Sequence, residues 1–206
     1  MSQGNGVWPA GILLNGKAAP GRGRVIRVVN PASDAVVAEV VSGGVEDVVA
    51  AVEGAEAAWS KGWRDLAPGK RTQLLHGIAR LIRENLESLA QAESQSIGKP
   101  IADARDEIGL GARVFEYYAE GVTRICGQTI PVGRGGFDFT LRESMGVVAA
   151  IAPWNFPFPI ACWKTAPALA AGNTVVLKPA SCSPLTALVL GELALKAGLP
   201  PGALQV

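Results

Sequence analysis

The chain has 206 residues, of which 49% are hydrophobic and 18% are charged, and its formal net charge is +1. This length allows one large or two small domains, and the low charged fraction is not that of a disordered chain. The near-zero net charge argues against nucleic acid or an acidic surface as a partner.

The cysteines and the histidine indicate the redox compartment and bear on whether a metal site is expected. Cys126, Cys162 and Cys182 form no CxxC pair and no disulfide framework, which is typical of a reducing compartment. The one histidine, His76, falls within an amphipathic helical pattern, so no metal site is predicted. The N-terminus does not resemble a signal peptide, and prolines interrupt the apolar run 147–163, so no membrane span is predicted. We expect a cytoplasmic protein.

The chain opens with short strands. Residues 1–9 are polar and glycine-rich, and we expect them to be frayed. Turn signals at Asn15-Gly16 and Asn30-Pro31 separate aliphatic, β-branched runs. These runs predict a small antiparallel meander over 12–14, 25–29 and 35–41.

Three helices are predicted next, because apolar residues recur at three- and four-residue spacing. They cover residues 45–62, 69–96 and 101–125. Gly98 is suited to the left-handed residue that closes the second of them. Gly98-Lys99 lacks both the upstream glycine and the following Ser or Thr of a phosphate-binding loop, so that motif is excluded.

The densest chemical signal lies in the last third of the chain. Two apolar, β-branched runs each end in a polar residue beside a proline, and residues 157–172 between them are long enough for one helix. This spacing predicts a βαβ unit of a parallel sheet. Ligands of open α/β sheets bind outside the carboxyl ends of the strands, so we expect the chemistry at Asn155 and Lys178.

Flanking elements complete the prediction. Residues 129–132 and 137–142 are predicted strands that precede the βαβ unit. A last helix over 185–197 begins after Ser183-Pro184, and a strand begins at Leu204.

The chemistry of these residues alone leaves alternatives open. Asn155 either donates a hydrogen bond to an oxyanion or caps the following helix, and its residue type favours the cap. Lys178 either binds a phosphate or ribose hydroxyl or is a solvated strand-end lysine. Trp154 either lines a pocket or packs in the core. Lys164 either reaches water at the rim of the site or relays protons, and Ser181 either binds a ligand hydroxyl or prepares the next helix.

Four strings give these residues a family context. IAPWNFP (151–157), CWKTAPALAAGN (162–173), KPAS (178–181) and SPLTAL (183–188) resemble the aldehyde dehydrogenase superfamily. The resemblance extends from about residue 11 to 206, and the second string is closest to the betaine-aldehyde-type branch. It implies an α/β fold with a Rossmann-like parallel sheet, here incomplete, preceded by N-terminal helices and a β oligomerisation arm.

The family organisation implies three segments in this chain. Residues 1–128 would be the N-terminal strands and helices of the cofactor domain. Residues 129–145 would be part of the arm that pairs subunits into a homodimer or homotetramer. Residues 146–206 would be the first βαβα units of the NAD(P)-binding domain, and the catalytic domain would be absent from this chain.

The family oxidises a small-molecule aldehyde to a carboxylic acid with NAD or NADP, through a cysteine thiohemiacetal and thioester. By resemblance, Asn155 is the oxyanion-stabilising amide and Lys164 is a charge-relay lysine. Lys178 and Ser181 resemble the pair that contacts the adenosine ribose. The implied cofactor-binding residues are Ile151, Ala152, Pro153, Trp154, Asn155, Lys178, Pro179, Ala180 and Ser181.

Two departures from the family pattern matter. Many NAD-preferring members carry glutamate where this chain has Ser181, so we expect the full protein to tolerate or prefer NADP. The family's nucleophilic cysteine and catalytic glutamate lie beyond residue 206. We therefore interpret the chain as an inactive fragment of an aldehyde dehydrogenase. The alternative is a truncated, non-catalytic binding or assembly protein that retains the first half of the fold.

Overall fold

The computed structural model describes residues 8–206, so most of the segment expected to be frayed, 1–9, lies outside the described residues. Two separate antiparallel hairpins, β1–β2 and β3–β4, replace the predicted meander. Asn15 and Gly16, with φ of 50° and 76°, form the tight turn of the first hairpin. The unpredicted strand β2 has the sequence Lys-Ala-Ala, which carries no β-branched signal. The four strands are β1 (Ile12–Leu14), β2 (Lys17–Ala19), β3 (Val25–Val29) and β4 (Val36–Val41).

Four helices follow: α1 (Val45–Ala58), α2 (Pro68–Glu84), α3 (Leu86–Ile97) and α4 (Ile101–Gly121). The prediction of a single helix over 69–96 is wrong, because the helix is interrupted at Asn85. There the side-chain amide donates to the Leu81 carbonyl over 2.8 Å, and the backbone leaves helical geometry with φ −108° and ψ 16°. An asparagine side chain that binds nearby backbone competes in this way with the helix. Gly98 closes α3 at φ 73°, as predicted.

The predicted βαβ unit is confirmed. Strands β7 (Val147–Ile151), β8 (Thr174–Lys178) and β9 (Leu204–Gln205) form a parallel sheet in that order, with α5 (Pro157–Ala170) and α6 (Leu185–Lys196) as connections. The N-terminal hairpin extends this sheet. The Leu13 amide donates to the Val206 carbonyl over 2.8 Å, and the Val206 amide returns a bond to Leu13 over 3.1 Å.

A third hairpin joins β5 (Thr129–Ile130) to β6 (Asp138–Phe139), which are shorter than the strands predicted over 129–132 and 137–142. Every residue from 123 to 143 is exposed. This hairpin therefore contributes nothing to the core of the described chain. Among the described helices, none is both long and apolar enough to span a bilayer.

Helix α4 lies at the centre of the core, against α2, α3 and α5. It approaches α5 closely at Gly111. A Cβ placed there would lie 2.5 Å from Cε1 of Phe158 and 3.0 Å from Sγ of Cys162. Both of those side chains are fully buried, at 0% exposure. Because Gly111 has no side chain, Phe158 and Cys162 of α5 can pack directly against the backbone of α4.

Replacing Gly111 with alanine should destabilise the fold by about 1–3 kcal/mol, because the new methyl group overpacks a filled contact. Urea unfolding followed by tryptophan fluorescence measures this change. Gly121→Ala on the same helix is the matched control, since a Cβ there would meet no described heavy atom within 4 Å. Equal stability of the two variants would contradict this account of the α4–α5 contact.

Candidate functional site

The ends of β7 and β8 lie side by side. Ile151 pairs with Lys178 in the parallel register, and the Ala152 amide donates to the Lys178 carbonyl over 3.0 Å. The segments that follow the two strands therefore leave the sheet at the same edge. The structure brings the two predicted groups of site residues, 151–155 and 178–181, to one place.

The turn after β7 is open to solvent. Trp154 is 62% exposed, so core packing, its commoner role, is wrong here. Asn155 is also exposed, and the residue at the helix N-cap is Phe156, with no side-chain cap. The capping role that residue type favoured for Asn155 is therefore wrong. The side-chain amide of Asn155 therefore does not cap α5, and it is accessible at the carboxyl edge of the sheet.

A buried carboxylate lies directly behind this turn. Glu93 of α3 has 0% exposure, and its Oε1 accepts a hydrogen bond from the Phe158 amide over 3.1 Å. Its Oε2 accepts one from the Thr186 hydroxyl over 2.9 Å. Burial raises the pKa of the Glu93 carboxyl, and these hydrogen bonds and the charge of Lys99 oppose that rise. Sequence reasoning missed this residue, because it reads as one more polar position of an amphipathic helix.

The segment after β8 borders a cavity of about 240 Å³. Residues 178–181 line one side of this cavity, while Ile12, Val48 and Val206 contribute apolar surface from the first hairpin, α1 and the end of the sheet. Ligand sites for drug-sized molecules typically have about 300–1,000 Å³. The cavity can therefore hold a part of a dinucleotide but not all of it.

Asp47 also lines this cavity, and the sequence offered no signal for that position. Its Oδ2 accepts hydrogen bonds from the Gly44 amide over 2.8 Å and the Arg22 amide over 2.7 Å. These backbone bonds, that from Gly44 first, lower the pKa of the Asp47 carboxyl. The carboxylate closes the start of α1, which explains why a charged group is stable in a largely apolar wall.

Lys164 and Trp163 lie further along α5, both exposed. Lys164 is seven positions after Pro157, the first residue of α5, which corresponds to roughly 10 Å along the helix axis. The structure therefore does not bring Lys164 next to the Asn155 turn by local geometry. Phe158 is fully buried and serves packing, whereas Trp163 is 46% exposed.

The three cysteines differ in accessibility. Cys126 and Cys182 are exposed, and Cys162 is buried. Burial raises the pKa of the Cys162 thiol well above its ordinary value, with the nearby Glu93 charge adding to the effect. A neutral, enclosed thiol is a poor nucleophile.

We predict that an aromatic disulfide reagent labels Cys126 and Cys182 in the folded chain and reaches Cys162 only after unfolding. Counting released thiolate before and after adding denaturant measures this. Variants with Cys162→Ala should keep the native count and lose one thiol from the unfolded count. Rapid labelling of Cys162 in the native protein would contradict its placement in the core.

Comparison with known proteins gives the family. Residues 18–206 match the aldehyde dehydrogenase family model. The chain is 38% identical over 198 residues to the NADP/NAD-dependent aldehyde dehydrogenase PuuC of Escherichia coli, and 40% identical over 198 residues to the putative aldehyde dehydrogenase DhaS of Bacillus subtilis. Each alignment covers 95% of this chain and 40% of the relative. The chain thus spans about 40% of the length of these curated relatives.

Solved structures agree. An indole-3-acetaldehyde dehydrogenase complexed with NAD+ superposes with a TM-score of 0.96 at 38% identity, over 98% of this chain and 41% of that one. The α/β fold expected from the sequence is therefore confirmed as that of known aldehyde dehydrogenase structures. Because the family match extends over residues 18–206, the chain belongs to the aldehyde dehydrogenase family.

Proposed function

We propose that this chain provides the oxyanion donor and part of the cofactor site of an enzyme that oxidises a small-molecule aldehyde to a carboxylic acid with NAD or NADP. The observation that carries the proposal is the exposed Asn155 turn, which leaves the sheet beside Lys178. Family membership and the NAD+ complex of a similar structure support it.

The residues at this edge fit a dinucleotide. The cavity beside residues 178–181 has apolar walls for a base, and two of its lining residues, Lys178 and Ser181, are proposed to bind ribose oxygens through their ammonium and hydroxyl groups. Nζ of Lys178 donates to the Pro179 carbonyl over 3.1 Å and would turn to the ribose. When bound, the nicotinamide of the cofactor accepts a hydride from the aldehyde carbon. Residues 151–155, at the end of the neighbouring strand, are proposed to contact the same cofactor nearer its reactive end.

Asn155 is proposed to donate a hydrogen bond from its side-chain amide to the oxygen that becomes negative when a nucleophile adds to the aldehyde carbon. A fixed neutral donor of this kind typically contributes about 10²–10³ in rate. Lys164, exposed on α5, is the proposed proton relay to solvent. The nucleophilic cysteine and catalytic glutamate are proposed to lie outside these 206 residues.

The arm, residues 129–145, is proposed to pair with a second copy in a homodimer or homotetramer. Its apolar side chains support this, since Phe137 is 76% exposed and Leu141 is 72% exposed. Phe139, on β6 between them, adds a third exposed apolar group. Such surface is commonly covered by a partner.

A second candidate is a non-catalytic binding or assembly protein. One observation favours it for this chain taken alone: Cys162, on the helix that follows the Asn155 turn, is buried and therefore a poor nucleophile. Purified 206-residue chain is proposed to reduce no NAD+ or NADP+ with aldehydes, whereas the product of the complete gene does so. A complete gene product with no such activity would favour the second candidate.

Asn155→Ala in the product of the complete gene should lower kcat for aldehyde oxidation by about 10²–10³, because the oxyanion loses a fixed donor. The KM for the cofactor should change by less than about threefold, since the side chain acts on the reacting oxygen. Absorbance at 340 nm measures both constants. Gln73→Ala, which removes an exposed amide from α2, is the control. An unchanged kcat in Asn155→Ala would contradict the assigned role.

Ser181 should permit NADP, because no carboxylate stands at this position to repel a 2′-phosphate. Two like charges about 4 Å apart repel by about 1–4 kcal/mol near a protein surface. Ser181→Glu should therefore lower kcat/KM for NADP+ by roughly tenfold or more and leave that for NAD+ nearly unchanged. Ser181→Gln has similar size without charge and separates repulsion from crowding. A strong NAD+ preference in the unaltered enzyme would contradict this prediction.

A further inference from the structure

The first turn of α5 has unusually few free backbone N–H donors. Helices begin with backbone amides that have no partner inside the helix. Here Pro157 and Pro159 carry no amide hydrogen, and the Ile160 amide already donates to the Phe156 carbonyl over 3.0 Å. Within residues 157–160, the Phe158 amide is thus the one remaining donor. It donates to Glu93 over 3.1 Å.

The Phe158 side chain is also fixed by packing, in addition to the hydrogen bond of its backbone amide. Its ring occupies the space above Gly111, where a Cβ would approach Cε1 to 2.5 Å. The ring of Phe156 also has a contact, because Nζ of Lys99 lies 4.9 Å from its centroid. Lys99 in turn forms an ion pair with Glu107, and both side chains are largely buried. Residues on either side of Pro157 are therefore anchored to α3 and α4.

Packing alone does not call for a carboxylate at position 93. A buried carboxylate loses its hydration, which is costly unless hydrogen bonds replace it. Glu93 receives two donors from different elements, one on each oxygen: the Phe158 amide of α5 and the Thr186 hydroxyl of α6. A glutamine could keep an oxygen acceptor for the Phe158 amide and donate to the Thr186 hydroxyl, so a side chain with no acceptor, such as methionine, is the variant that removes the bond to Phe158. The positive end of the α5 dipole also favours an anion at this place.

We propose that Glu93 is a positioning residue: by holding the first turn of α5, it fixes the preceding turn so that the Asn155 amide stays aimed at the reacting oxygen. This inference rests on the proposed function of Asn155. Glu93 itself touches neither substrate nor cofactor in this scheme. Its carboxylate acts through the backbone of Phe158, three residues beyond the amide that it orients.

A double-mutant cycle in the product of the complete gene tests the proposal. Glu93→Met, which has similar length and no hydrogen-bond acceptor for the Phe158 amide, should lower kcat for aldehyde oxidation by about tenfold and leave the KM for the cofactor within about twofold. In an Asn155→Ala background the same change should lower kcat by less than about twofold, because the group that Glu93 orients is gone. Equal effects of Glu93→Met in both backgrounds, or an unchanged kcat, would overturn the proposal.

Two further variants separate positioning from general damage to the core. Thr186→Val keeps Glu93 and removes one of its two donors, so it should lower kcat by a few-fold in the same Asn155-dependent manner. Ser96→Ala removes a buried hydroxyl on α3 that donates to the Ala92 carbonyl over 2.6 Å and lies 3.4 Å from the Glu93 backbone carbonyl. It leaves both hydrogen bonds of the Glu93 carboxylate in place and should leave kcat unchanged. A similar loss of kcat in Ser96→Ala would show that any perturbation of α3 suffices, against the proposal.

Amide hydrogen exchange gives a readout that does not depend on activity. In the 206-residue chain, Glu93→Met and Thr186→Val should accelerate exchange of the Phe158 amide by at least about tenfold, and Ser96→Ala should not. If the complete gene product oxidises no aldehyde, the proposed function fails, and exchange then decides whether Glu93 fixes the turn. Unchanged exchange in both variants would overturn the positioning role in either case.

Discussion

The parallel pairing of β7 with β8 is the constraint on which the rest of the site depends. The register that sets Ile151 opposite Lys178 brings together two stretches that the intervening helix α5 separates along the chain. Both strands end at the same edge, so Asn155, the proposed oxyanion donor, and Lys178, the proposed ribose contact, lie at the same edge of the sheet. Parallel strands need such a helical crossover, and the crossover here is also what positions the turn.

Helix α5, which makes this crossover, is held at its N-terminal end by contacts from α3, α4 and the link between them. Glu93 accepts the Phe158 amide, Gly111 leaves room for the Phe158 ring, and Lys99 lies over the ring of Phe156. Each contact comes from α3, α4 or the short link between them, which explains what the N-terminal helices contribute to a site they do not line. A rigid support behind an exposed donor is what a preorganised oxyanion site requires.

Much of the site followed from the sequence, because strand-end polar residues beside prolines and the spacing of a βαβ unit are local signals. Asn155, Lys178 and Ser181 were predicted as site residues from these signals together with the family resemblance, since residue type alone favoured a helix cap for Asn155. The structure places the three residues at one edge of the sheet. The break at Asn85 was missed, since the apolar spacing continues through it and only a side-chain bond to the backbone interrupts the helix. Glu93 was missed because its partners lie elsewhere in the chain and meet it only once the helices pack. The bond of Asp47 to the Gly44 amide is local and indicates only a helix start, whereas its bond to the Arg22 amide and its place in the cavity wall depend on the fold.

The most direct test of the central claim is a crystal structure of the complete gene product with bound NADP+. The account predicts the adenosine ribose within hydrogen-bond distance of the Lys178 ammonium and the Ser181 hydroxyl, with the Asn155 amide facing the nicotinamide end of the cofactor. A dinucleotide bound away from the carboxyl edge of β7 and β8, or an Asn155 side chain turned away from the reacting centre, would contradict it.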